Sequence, residues 1–432
     1  MRWPALRASN TLYTPALLLL VVIVGISYLG LGFISPLRAL YGREVGASSA
    51  EIGFMAAAAM LSGILATPAV GRLGDRFGQK RVLWVGLLMH ALLTLAYIPA
   101  QHPFWLILIR ALEGVAIASV LPPARALANL LAPADRQAEA LGVLGAAKTV
   151  GILIGPAAGS VLAAQTGYTP SFLLASVPLV LGALATLVFL PRTSTPQSTS
   201  TVAGATPQSR GTLRQKGTAA SKGEPLVAPA TVPVQLFTRP LVLAYVMGFV
   251  LALNGGIGMA VWSLFMSDHG ASLPVIGLSY TTFAVPIIVL APLSGRISDR
   301  YGRYWPAVVG FALCALVFGL YVLPLSPWWI VIISGFEGIP VAIAGSAADG
   351  LLADSTPAEA RSRVQANFGA AGNAGSLVAA TGAGFLYAFA PGMPFLALAI
   401  TYVGMTLALL LPALARIFAQ HRQPVPVGVA AD

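Results

Sequence analysis

Long apolar runs alternate along this chain with short polar breaks that hold most of its charges. A helix that crosses a bilayer needs about 20 mostly apolar residues. Twelve runs meet that length, over 14–36, 50–70, 82–99, 104–131, 139–164, 170–190, 240–266, 273–294, 306–323, 327–353, 361–388 and 392–414. Between the sixth and seventh lies one long polar stretch, 191–239, rich in Ser, Thr, Pro, Gln and Gly. Too little in it could form a core, so a disordered tether is expected there. The pattern predicts an all-α membrane protein: a six-helix bundle over 1–190, a linker, and a second six-helix bundle with a short tail over 240–432.

The two halves repeat each other. Gly71-Arg72-Leu73-Gly74-Asp75-Arg76-Phe77-Gly78 recurs 224 residues later as Gly295-Arg296-Ile297-Ser298-Asp299-Arg300-Tyr301-Gly302. The offset also matches Ile52-Gly53 with Ile276-Gly277, Glu113-Gly114 with Glu337-Gly338, and Gly151 with Gly375. A register kept without insertion over about 100 residues marks a duplicated unit. In a membrane protein it predicts two pseudo-symmetric bundles with a substrate path between them.

Composition agrees. Only 9% of residues are charged and the mean hydropathy is +0.82, against about 25% charged in soluble domains. The formal net charge of +11 does not indicate nucleic acid, because the basic residues sit in short loops and not along one stripe. One side collects 21 of the 25 Lys and Arg residues, and the other holds only Arg38 and Arg43. The positive-inside rule then places both termini and the linker in the cytoplasm, and a bacterial inner membrane is expected. Arg2 and Arg7 ahead of an apolar run superficially suggest a leader, but the run is too long for one and reads as the first membrane helix. The single cysteine, Cys314, excludes a disulfide framework and a cysteine-rich metal site.

The doubled loop is the most specific motif. Its glycines suit a tight helix reversal, its bases anchor it at the membrane surface, and Asp75 can pair locally or face a helix N-terminus. Gly71, Asp75, Arg76 and Gly78, with Lys80 and Arg81 following, resemble the signature loop of the major facilitator superfamily. The resemblance covers the whole chain and implies twelve helices in two bundles, with the loop acting as a conformational latch. The second copy keeps Asp299, Arg300 and Gly302 but has Tyr304-Trp305 in place of the two bases, so a weaker latch is expected there.

Two further motifs bear on mechanism. Arg110 and Glu113 are three residues apart on one helix face, where they can pair, and ionisable groups inside membrane helices usually serve function. They resemble the fourth-helix arginine motif of proton-coupled members of the superfamily; a purely structural ion pair is the competing reading. Glu337, the counterpart of Glu113, has no base nearby in sequence. A lone buried carboxyl is cheapest when protonated, which suits a proton carrier. Glu113, Glu337 and Arg110 are therefore the candidate proton-coupling residues. Gly151, Gly155, Pro156 and Gly159 allow close helix approach and a bend. They resemble a motif of the antiporter branch, with Ser160 in place of its last glycine, and tilt the reading towards export.

The resemblance places the first, fourth, seventh and tenth helices at the cavity. Candidate wall residues are Tyr28, Lys148, Asn254 and Trp262, with Ser27 and Phe33 beside them. Lys148 has no acid near it in sequence, so it either neutralises Glu113 or Glu337 or meets an anionic substrate. No carboxylate stands in the first helix, unlike several multidrug exporters of the superfamily, which argues against cationic drugs. The favoured function is proton-coupled export of a small molecule by alternating access, as a monomer. No cofactor is expected beyond the proton gradient. Uptake by symport of a sugar or organic acid and flipping of an amphiphile are the alternatives. A membrane enzyme is disfavoured: the four histidines form no H-E-x-x-H pair, and no G-x-S-x-G elbow or phosphate-cradling loop occurs.

Overall fold

A computed structural model describes residues 13–133, 135–191 and 236–420; the expected linker lies almost wholly outside them, as do the first twelve and last twelve residues. Among the described residues the secondary structure is helical throughout. The first half comprises α1 (Pro15–Phe33), α2 (Ser35–Glu44), α3 (Ser49–Phe77), α4 (Gln79–Ala96), α5 (Pro103–Ala118), α6 (Leu121–Leu131), α7 (Gln137–Thr166) and α8 (Tyr168–Phe189). The second comprises α9 (Arg239–Ala260), α10 (Trp262–Asp268), α11 (Leu273–Tyr301), α12 (Tyr304–Leu320), α13 (Pro327–Asp354), α14 (Arg361–Phe389), α15 (Met393–Leu410) and α16 (Pro412–Gln420), with a 3₁₀ turn ahead of α14.

Three spans are broken rods: α1 with α2, α5 with α6, and α9 with α10. Pro36 opens α2 and Pro122 opens α6, where a missing backbone N–H is harmless. Counted this way there are twelve spans among the described residues. Nine helices among these residues are long and apolar enough to cross a membrane by length and composition, and Tyr304–Leu320 is a shorter apolar one. The remaining two, α4 and α14, start with Gln-Lys-Arg and Arg-Ser-Arg and complete the repeat.

The first span corrects the sequence reading. Expected to stop near residue 36, it runs on through α2 to Glu44, a span of 30 residues. Arg38, expected in a polar loop, is carried inside it and buried at 7% exposure. The doubled loop is likewise mostly helix. Gly71 to Phe77 form the last two turns of α3, and only Gly78 (φ 90°) and its counterpart Gly302 (φ 85°) take the left-handed backbone that favours glycine. Gly71 itself is helical and faces open space.

Within each half the repeated glycines set helix spacing. A Cβ on Gly151 would lie 2.6 Å from the carbonyl oxygen of Gly25, and one on Gly155 2.7 Å from that of Leu29, so α7 lies directly against α1. Gly338 brings α13 equally close to Phe283 of α11, a Cβ there lying 2.6 Å from its carbonyl oxygen. Association in lipid depends on such close packing, since apolar surface gains nothing by leaving lipid for protein.

The halves meet on the side opposite the basic loops, through contacts that obey the 224-residue repeat. Gly53 of α3 packs on Gly384 of α14, and its counterpart Gly277 of α11 packs on Pro156 and Ser160 of α7. Thr281 donates to the Leu153 carbonyl at 2.8 Å across the same seam, and Phe54 packs edge-on against Phe385. Arg43 of α2 forms a forked ion pair with Asp268 of α10, which also accepts from the Tyr387 hydroxyl at 2.5 Å. This side is closed.

Candidate functional site

Between the halves lies a cavity of about 680 Å³. Its lining descends α3 from Ala59 to Thr67 and α5–α6 from Arg110 to Pro122. Both helices run towards the basic loops, so the cavity extends that way from a roof formed by Arg38 and Arg110. Tyr28, Ile152 and Pro156 complete the first-half wall, and Met259, Tyr280, Phe283 and Asn373 face them from the second half.

Behind the roof stands Glu113, one turn further along α5 and with 0% exposure. Its Oε2 accepts from Arg110 Nη1 at 2.8 Å and from the Tyr97 hydroxyl at 3.0 Å. Its Oε1 accepts from the Arg38 guanidinium and lies 3.0 Å from His90 Nε2. The Arg110–Glu113 pair follows from helical spacing alone. Arg38, His90 and Tyr97 come from other helices, and no motif in the sequence announces them. One signal did exist. Each stands 224 residues from a notable residue of the second half: Trp262, Cys314 and Tyr321.

The equivalent carboxyl of the second half is Glu337, which is 3% exposed. The Tyr321 hydroxyl donates to its Oε2 at 2.8 Å, as Tyr97 does to Glu113. Asn254 Nδ2 donates to Oε1 at 2.8 Å. The basic residues are absent from this copy. Trp262 stands where Arg38 does, Cys314 where His90 does, and Ser334 where Arg110 does. Glu337 does not line the cavity.

The four candidate wall residues separate. Tyr28 lines the cavity. Lys148 Nζ sits 5.6 Å from the centroid of the Tyr28 ring, in cation–π range, and reaches neither glutamate. Asn254 is half-buried and spends its amide on Glu337. Trp262 is not on the wall: its indole donates to Ser279 at 2.8 Å and its ring packs among Tyr321, Phe265 and Phe395. A tryptophan beside a span break reads as a wall residue in sequence, but here an aromatic cluster covers it. Ser27 donates to the Ile23 carbonyl at 2.6 Å and Phe33 is buried, so neither serves the cavity.

At the basic end the two loop copies pair within their own halves. Asp75 accepts from Gln79 at 3.4 Å, and Arg76 lies over the Phe77 ring, 5.1 Å from its centroid. Arg303 holds Asp299 in an ion pair and also meets Asp354 of α13 at 3.0 Å. Arg300 lies over the ring of Tyr301. In the second copy, expected to be the weaker latch for lack of the two bases, Arg303 replaces Gln79 one position after the glycine and supplies these ion pairs.

Comparison with known proteins bears on this architecture. The model of the Major Facilitator Superfamily matches the chain over residues 20–254 and 244–427. The chain belongs to the Major Facilitator Superfamily. It is 24% identical to an MFS-type transporter of Methanocaldococcus jannaschii over 366 residues, 83% of this chain and 87% of that one. It is 27% identical to multidrug resistance protein MdtG of Proteus mirabilis over 323 residues, 72% of this chain and 74% of that one. The fold of a bacterial homolog of the human lysosomal transporter Spinster, solved inward-facing and unoccupied, superposes with a TM-score of 0.70 at 16% identity, covering 96% of this chain and 99% of that one. The protein is thus a multi-pass membrane transporter and not an enzyme.

Proposed function

We propose that this superfamily member exports a small molecule in exchange for protons, with Glu337 carrying the proton. The observation behind this reading is the contrast between the two equivalent glutamates. Glu113 faces two guanidinium groups and a histidine, so its ionised form is compensated in place. Glu337 accepts from two neutral donors. A buried carboxylate without a counter-ion costs several kcal/mol, a cost that taking up a proton removes. A group whose charge changes at small cost suits a carrier, whereas one held by two arginines suits a fixed anchor.

Asn254 and Glu337 connect α9 to α13, so protonation changes a bond between two helices of the second half. Coupling requires that proton and substrate prefer different conformations. With the far side closed through Arg43 and Asp268, the cavity stands on the basic-loop side. Under the positive-inside rule this is the cytoplasmic side, from which an exporter loads. Proton entry from the other side would then reset the carrier by alternating access. The names of MdtG and of quinolone resistance protein NorA of Staphylococcus aureus (25% identical over 38% of this chain) support export. So does the glycine stripe of α7.

The test is reconstitution of the purified protein in vesicles with an imposed pH gradient and a pH-reporting dye. Substrate-dependent proton flux opposite to substrate movement, lost in Glu337→Gln, is the expected result. Flux in the same direction as substrate would make the protein a symporter. Undiminished coupled flux in Glu337→Gln would remove the proton from this residue.

A further inference from the structure

We propose that the cavity binds organic anions: drug-sized molecules with an apolar or aromatic body and an acidic group such as a carboxylate. The proposal deepens the transporter reading by naming a substrate class, and it rests on that reading only for the cavity being the substrate site.

The charged side chains that line the cavity are Arg38 and Arg110, both in its roof. Among the described residues no carboxylate lines it. Glu113, their common partner, is fully buried behind them, with both oxygens occupied. Two guanidinium groups against one carboxylate leave an excess positive charge facing the cavity. Glu337, which could offset it, is sealed behind the opposite wall by Tyr321 and Asn254.

The mouth repeats the pattern. Ile152 and Pro156 line the cavity from α7, and Lys148 is one turn further along the same face towards the basic loops. Leu121 and Pro122 line it from α6, and exposed Arg125 is one turn further in the same direction. Arg125 lies close enough to act electrostatically on both Tyr28 and Lys148. The position equivalent to Arg125 in the second half holds an acid, Asp349 of α13. Four cations against Glu113 and Asp349 leave a net positive site from mouth to roof.

Apolar side chains, among them Leu31, Ile64, Ile117 and Phe283, form the walls between the charges. Such walls lower the local dielectric and focus the field of the bases. A volume near 680 Å³ falls within the range of drug-sized sites, about 300–1,000 Å³. An organic anion would seat its acid against the roof guanidinium groups, where planar donors suit a carboxylate. Its body would lie along the walls, and Lys148 would steer or hold it at the mouth. A cation of the same shape meets repulsion at both ends.

The test is fluorescence anisotropy on purified protein in detergent, without a gradient, using two dyes of similar size: anionic carboxyfluorescein and cationic rhodamine 6G. Carboxyfluorescein is expected to bind saturably and at least tenfold tighter than rhodamine 6G, and more weakly as NaCl rises. Loss of one charge-assisted contact in Lys148→Met is expected to weaken it about tenfold, while Lys148→Arg restores it and Lys148→Glu improves rhodamine binding. Tighter binding of rhodamine, no saturable binding of carboxyfluorescein, or an unchanged affinity in Lys148→Met would each overturn the proposal. Because binding is read without proton movement, absence of coupled flux in vesicles holding the unmodified protein would count against the proton reading and leave the anion site standing.

Discussion

Glu113 and Glu337 occupy equivalent positions in a duplicated fold, each beneath an equivalent tyrosine, and yet their surroundings differ in kind. The first half supplies Arg38, His90 and Arg110; the second supplies Trp262, Cys314 and Ser334 at the same places. The carboxyl and its hydroxyl donor, Tyr97 or Tyr321, are thus common to both halves, while the remaining positions hold basic residues in the first and neutral ones in the second. A compensated carboxylate is a fixed part of the scaffold. An uncompensated one is free to change its charge, and the same backbone geometry then supports two roles. The basic loops diverged the other way: the second copy gained the ionic partner Arg303, and the first has the neutral Gln79.

The comparison can be broken most severely by removing a partner from the charged pocket. Arg38→Met breaks the buried ion pair with Glu113, and breaking such a pair costs about 3–5 kcal/mol; a large fall in melting temperature in detergent is expected. Trp262→Phe at the equivalent position loses one hydrogen bond to Ser279, worth about 1 kcal/mol, and should melt much closer to the parent. Similar losses at both sites would erase the distinction.

Next in size is the exchange of each acid for its amide. Glu113→Gln strands two buried guanidinium groups and should lower stability by several kcal/mol. Glu337→Gln keeps a neutral side chain among neutral donors and should stay within about 1 kcal/mol of the parent while losing coupled flux. A thermal-melt series beside vesicle flux reads both.

Sharpening the comparison calls for moving a charge across it. Ser334→Arg places a guanidinium at the position equivalent to Arg110. The expected result is retained binding with proton flux no longer driven by substrate, because the neighbouring carboxylate is then compensated. Flux that persists unaltered in this variant would show that compensation is not what separates the two sites.

The smallest effects lie in the loops. Asp299→Asn breaks the pairing with Arg303 at an exposed site and should cost no more than about 1 kcal/mol. Asp75→Asn should cost less, since Asp75 accepts only a long bond from Gln79, and should instead change the reactivity of cysteines engineered at the basic end of the cavity.

Much of this architecture was legible in the sequence because its causes are local. Spans of about 20 apolar residues are required by bilayer thickness. The repeat, the side carrying the bases, the Arg110–Glu113 pairing and the glycine stripe of α7 follow from spacing along one chain segment. Arg38 was misjudged because a span interrupted at Ile34 by Pro36 reads as ended, whereas α2 continues it into the protein interior. Trp262 was misjudged because burial by Phe265, Tyr321 and Phe395 depends on three other segments. The sequence alone determined that this is a duplicated twelve-span membrane protein with paired carboxyls in its fourth and tenth spans. Tertiary structure alone decided which carboxyl is neutralised and which basic groups face the cavity. The reason is physical: in a low-dielectric interior, the role of a charge is set by neighbours within a few ångströms, and those neighbours come from helices far apart in sequence.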